Sequence, residues 1–132
     1  MAKHPLAPAI AAVFEAQPEL TASGMARLRA LILETAHRDP RVGLLTESLK
    51  WGQPAYRPLA ANCGTTLRVG PHKDADFALY APCSTAVIPT HAERFAGADR
   101  IDGTRAVLFD HPDQIDPDRL RLTILHGLTY FL

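Results

Sequence analysis

At 132 residues and 14.4 kDa, with 47% hydrophobic and 21% charged side chains, the chain has the size and composition of one globular domain spanning 1–132, not of a disordered segment. Fourteen Lys plus Arg balance fourteen Asp plus Glu, so no net field draws the protein to nucleic acid or to an anionic membrane. No apolar run approaches the roughly 18 residues of a spanning helix, and two cysteines are too few for a disulfide scaffold.

A cytoplasmic location follows as the expectation, and the Ala- and Arg-rich composition suits a bacterial source. Lys3 followed by Leu6 to Phe14 imitates a short signal peptide. Pro5, Pro8 and Glu15, with no small-residue cleavage site after them, argue against one.

The first predicted helix covers Pro5 to Ala16, with Leu6, Ile10, Val13 and Phe14 on one face, and Pro18 stops it. A second follows a cap at Thr21 or Ser23, with Met25, Leu28, Leu31, Ile32 and Leu33 as its apolar face and Pro40 beyond its end. Leu49 to Tyr56, interrupted by Gly52 and Pro54, reads as a short strand, a bend and a second extended piece. Thr65–Val69 and Phe77–Ala81 alternate as a hairpin around Gly70 to Asp74. A register summing to 146 pairs Val69 with Phe77, Leu67 with Leu79 and Thr65 with Ala81, and sets Cys63 opposite Cys83. A short helix at Pro89–Ala96 and a strand at Ala106–Phe109 follow. The last helix is capped by Asp116-Pro117 and buries Leu120, Ile124, Leu125 and Leu128. Helices, then strands, then a helix predict an α+β fold: N-terminal helices, an antiparallel sheet of about five strands and a C-terminal helix packed on the sheet.

No phosphate loop, nucleophile elbow, H-E-x-x-H or C-x-x-C motif is present. The densest run of special residues is Glu47-Ser-Leu-Lys50-Trp51-Gly52-Gln53-Pro54-Ala-Tyr56. One reading is a binding cleft, with Trp51 and Tyr56 as walls and Lys50 or Gln53 holding a polar group. The other is architectural: Trp51 and Tyr56 fill the core while Gly52 and Pro54 bend the strand. Cys63 and Cys83 could pair, or hold zinc with His72 or His91, or act as small hydrophobes. Asp110, His111 and Asp113 form a local cluster that could weakly hold a divalent cation and reads first as turn chemistry before a helix.

The Glu47/Leu49/Lys50/Trp51/Gly52/Pro54/Tyr56 string, with Phe77-Ala-Leu-Tyr80, Val107-Leu-Phe109 and Asp116-Pro117, resembles the YdhG-like family, domain of unknown function 1801, over about Leu20 to Leu132. The resemblance implies a helix–strand–helix fold akin to frataxin. It also implies, from one branch of the family, iron handling on acidic surface positions. Glu15, Glu19 and Glu34 are too sparse for such a ridge. The residues therefore lead to a non-catalytic domain for a small ligand or a protein partner, with Lys50, Trp51, Gln53, Tyr56 and Tyr80 as its site. Iron binding or delivery is the alternative. No cofactor, nucleic-acid or membrane partner is expected, and the chain is read as a monomer or weak homodimer.

Overall fold

The fold is taken from a computed structural model that describes residues 6–132. Two helices, α1 (Pro8–Glu15) and α2 (Glu19–Arg38), precede four strands: β1 (Leu45–Lys50), β2 (Gln53–Pro58), β3 (Leu67–His72) and β4 (Ala75–Tyr80). Helix α3 (Val87–Arg94), strands β5 (Arg100–Asp102) and β6 (Ala106–Phe109), and helix α4 (Pro117–Leu128) complete the order, with a 3-10 turn at Pro112–Gln114 before α4. The strands form one antiparallel sheet in the order β1-β2-β3-β4-β6-β5. The α+β class, the N-terminal helices and the C-terminal helix agree with the sequence reading. The sheet has six strands because β5, only three residues long, carries too little alternation to be seen in sequence.

The prolines explain the helix starts. Pro8 opens α1 in its first turn, where a missing N–H costs nothing, and Pro117 does the same in α4 behind Asp116. The Asp116 carboxylate accepts from the N–H groups of Asp118 and Arg119, as expected of this cap. Helix α2 departs from expectation: it begins at Glu19, directly after Pro18, and neither Thr21 nor Ser23 caps it. Pro5, at the start of the first predicted helix, lies outside the described residues.

One face of the sheet carries the core. Tyr56, Leu67, Val69, Phe77, Leu79, Val107 and Phe109 point to the helices and pack on Met25, Leu28 and Ile32 of α2 and on Leu120, Ile124 and Leu128 of α4. The contact between α2 and the sheet is close because residue 24 is glycine: a Cβ there would sit 2.1 Å from the Phe77 ring. The opposite face holds a small satellite cluster of Ala78, Ala106 and Leu108 with Ala75 and Tyr80, and among the described residues no helix packs on it.

The β3–β4 hairpin corrects the expected register. Arg68 pairs with Tyr80, Val69 with Leu79 and Gly70 with Ala78, so the sum is 148, and an irregularity follows between Gly70 and His72. Pro71 lies in that interval and has no N–H to donate to a ladder, so the strands close with unequal spacing. The two-residue shift keeps the apolar faces in phase but separates the cysteines. Cys63 is buried, with its thiol toward the Leu128 and Arg41 carbonyls at 3.3 and 3.4 Å, whereas Cys83 is exposed, and both are free. Thr65 N–H donates to the Gly127 carbonyl and Phe131 N–H to that of Cys63, so this segment follows α4 rather than the extension of β4.

Candidate functional site

Lys50 pairs with Gln53 across a two-residue loop, Trp51-Gly52, in which both residues have positive φ, 55° and 74°. Such loops match the twist of the strands they join and ordinarily use Asn, Asp or Gly at both positions. A tryptophan at the first position is strained, and it is 89% exposed. Burial therefore gives Trp51 no compensation. We expect Trp51→Asn to raise the unfolding free energy by about 1 kcal/mol in urea titrations, with the fold unchanged.

Strand alternation divides the special string between the two faces of the sheet. Tyr56 points to the helices and is fully buried. Its hydroxyl donates to Glu47 Oε2 at 2.6 Å, and Arg29 of α2 holds the same carboxylate through Nε at 2.6 Å and Nη2 at 3.1 Å. Burial, then the Glu47 carboxylate, push the Tyr56 hydroxyl far above its ordinary pKa. The expectation that Tyr56 lines a cleft with Trp51 is thus corrected: Tyr56 is core, and Trp51 is at the tip of a hairpin. Lys50, Gln53 and Tyr80 share the other face.

There Gln53 and Tyr80 meet through a residue the sequence reading passed over, Arg68. Gly70 is the reason. A Cβ at residue 70 would come within 2.5 Å of the Gln53 amide nitrogen, so the glycine lets that side chain lie flat on the sheet. Gln53 Oε1 then accepts from Arg68 Nη1 at 2.5 Å, and the guanidinium lies 4.9 Å from the centroid of the Tyr80 ring. The Tyr80 hydroxyl donates to the Pro71 carbonyl at 2.6 Å, which fixes the ring. Arg68 is half-buried, and burial pulls its pKa below the ordinary arginine value while Tyr80 partly restores it. Among the described residues no carboxylate lies within ion-pair distance of Arg68, Lys50 or Arg57.

Beside Arg68 the open face dips into a hollow of about 220 Å³ bordered by Thr46, Ser48, Lys50, Arg57 and Thr66, with Ala55 beneath. Register accounts for this ring: Thr46 faces Arg57, Ser48 faces Ala55, Lys50 faces Gln53, and Ala55 faces Arg68 on the third strand. A wider depression of about 610 Å³ lies at the other end of the face, between His72, Arg100, Asp102 and Leu108. Three of the charged side chains in its lining, His72, Asp102 and Arg100, already have partners. His72 Nε2 is 2.9 Å from Asp102 Oδ2, and Arg100 grips Asp110 with both carboxylate contacts at 2.7 Å.

The other candidate constellations do not form sites. Thr123, His91 and Asp99 stand in the order hydroxyl, imidazole, carboxylate, with His91 Nδ1 2.5 Å from the Thr123 hydroxyl and Nε2 2.8 Å from Asp99. His91 and Thr123 are only 1% and 2% exposed, so no substrate reaches that hydroxyl. His72 and His91 are each committed to an aspartate, away from the cysteines. His111 accepts the Asp113 N–H through Nδ1, and Asp110 is taken by Arg100, as turn chemistry requires. Among the described residues no three His, Cys, Asp or Glu side chains group closely enough to hold a metal ion, and no helix is long and apolar enough to cross a membrane. Comparison with family models, with curated proteins and with solved structures returns no match.

Proposed function

We propose that the protein is a non-catalytic binding domain that holds a small ligand on the open face of its sheet, beside the Lys50-Trp51-Gly52-Gln53-Pro54 turn. The observation that carries this reading is Arg68: a half-buried guanidinium, held by Gln53 and Tyr80, with no carboxylate to balance it among the described residues. Taking a charge partly out of water costs free energy unless an opposite charge approaches. A fold that keeps this arginine rigid and uncompensated is prepared for a partner from outside. Lys50, Gln53 and Tyr80 belong to the site, Trp51 stands at its rim, and Arg57 and Arg68 join them.

Kinship with the YdhG-like family is part of this proposal and rests on the residue string. The iron alternative gains no ligand set from the side chains described. The domain would work in the cytoplasm as a monomer or weak homodimer, without nucleic acid. Amide-resolved NMR of the labelled protein against a panel of small metabolites tests the reading. Shifts concentrated on 46–57, 66–70 and 78–80, and lost in Arg68→Met, are expected. Binding that maps to the helices instead, or that survives Arg68→Met unchanged, contradicts it.

A further inference from the structure

The chemistry around Ala55 narrows the ligand to one class, an inference that rests on the reading above. We propose that the hollow over Ala55 binds a phosphomonoester, a phosphoryl group on a small organic body, held by Lys50 and Arg57 with Arg68 beside them.

The hollow is lined by the hydroxyls of Ser48 and Thr66 and by the cations Lys50 and Arg57, with no carboxylate; the Thr46 hydroxyl already donates to the Arg57 carbonyl, and Arg68 stands on the adjoining strand. The carboxylates of this face lie toward its other end: Asp76 on β4, Asp74 at the hairpin turn, Asp102 engaged by His72 and Asp110 by Arg100. Two cations in the lining and a third beside it, none with a carboxylate partner among the described residues, match a dianion better than the single charge of a carboxylate. The geometry favours a tetrahedral group for a second reason. The donors come from β1, from β2 and from Thr66 just before β3, so they surround the hollow rather than lie in one plane. Hydroxyls at Ser48 and Thr66 can rotate to donate to whichever oxygens the arginines leave.

Ala55, 1% exposed, has no side chain long enough to fill the centre, and its partner on β1, Ser48, flanks the opening. Arg68 needs little ordering on binding, because Gln53 and the Tyr80 ring already fix it. A volume of about 220 Å³ lies below the roughly 300 Å³ at which drug-sized pockets begin. It therefore suits a phosphoryl group with a few further atoms rather than a nucleotide.

Titration of the labelled protein with inorganic phosphate, with acetate and with succinate, at ionic strength held constant by sodium chloride, tests the assignment. Phosphate should shift the amides of 46–50, 53–57 and 66–68 with a Kd on the order of 1 mM or tighter, at least tenfold tighter than either carboxylate. Arg57→Gln, an exposed position that leaves the core untouched, and Arg68→Met should each weaken phosphate by tenfold or more. Carboxylates that match phosphate on the same amides overturn the phosphoryl assignment and leave the site standing. So does a neutral metabolite that shifts them when phosphate does not. If neither the anions nor the metabolite panel moves these amides, both the assignment and the site fall. A single-stranded RNA that displaces phosphate with a steep salt dependence would replace the small ligand with a nucleic acid.

Discussion

Replacing Asp99 with alanine lowers the unfolding free energy by about 3 kcal/mol or more. The carboxylate is the junction of three elements: it accepts from His91 of α3 at 2.8 Å and from Arg119 of α4 through Nε at 2.8 Å and Nη2 at 3.0 Å, just before β5. Its side chain is only 4% exposed, and that of Arg119 only 19%. Alanine would leave a buried imidazole N–H without its acceptor and a largely buried guanidinium with only the Asp116 carboxylate, 3.1 Å from Nη1. Burial alone would raise the Asp99 pKa, but the hydrogen bonds and charges of His91 and Arg119 prevail and hold it below the ordinary carboxylate value. A carboxylate depressed in this way contributes stability that is fully present above its unfolded pKa, about 3.9. That contribution is lost as pH falls through the lower folded value. Urea titrations at pH 7 and near pH 3 check both parts. Wild type should lose more stability between those pH values than Asp99→Asn, and Asp99→Ala should be the least stable at pH 7.

Glu47→Ala is expected to cost about 3 kcal/mol as well, for a reason inside the special string. Glu47 takes the Tyr56 hydroxyl on one side and Arg29 on the other, with side-chain exposures of 19% for Glu47 and 13% for Arg29. Its loss takes the acceptor from a buried hydroxyl and the carboxylate from a guanidinium together. Tyr56→Phe removes one hydrogen bond and leaves Arg29 paired, so it should cost only about 1 kcal/mol. Thermal unfolding of the two variants separates them. A Tyr56→Phe protein as weak as Glu47→Ala would mean that the hydroxyl, and not the ion pair, ties α2 to the β1–β2 hairpin.

This division explains how much was legible in the sequence. The run from Glu47 to Tyr56 was visible as special, and the core-filler reading of it holds for Tyr56 and fails for Trp51. Alternation sends Glu47 and Tyr56 to the helices and Lys50 and Gln53 to the open face, while the tight turn throws Trp51 outward. The strand Ala106–Phe109 and the Asp116-Pro117 cap were legible because their signals are local.

Arg68 was hidden by a register error. With a sum of 146 it faces Ala78 and looks like an ordinary solvated arginine, but with 148 it faces Tyr80. What displaces the register is an irregularity near Pro71, and nothing in the hydrophobic pattern reports it, because a shift of two leaves the apolar faces in phase. The signal that could have found Arg68 is its place between Leu67 and Val69, both fully buried, at the centre of a strand. The cysteine pairing failed through the same register. His91 and Asp99 could not be joined from sequence either, because α3 and the turn before β5 meet only when packed on α4.

The central claim is that Arg68 serves a ligand and not the fold. Urea unfolding of ligand-free wild type and Arg68→Met tests it most directly. Methionine keeps the apolar contact with Tyr80 and removes the uncompensated charge, so the variant should be as stable as wild type or more so, by up to about 1 kcal/mol. A loss of more than 1 kcal/mol would make Arg68 a structural brace between Gln53 and Tyr80, and would contradict the account.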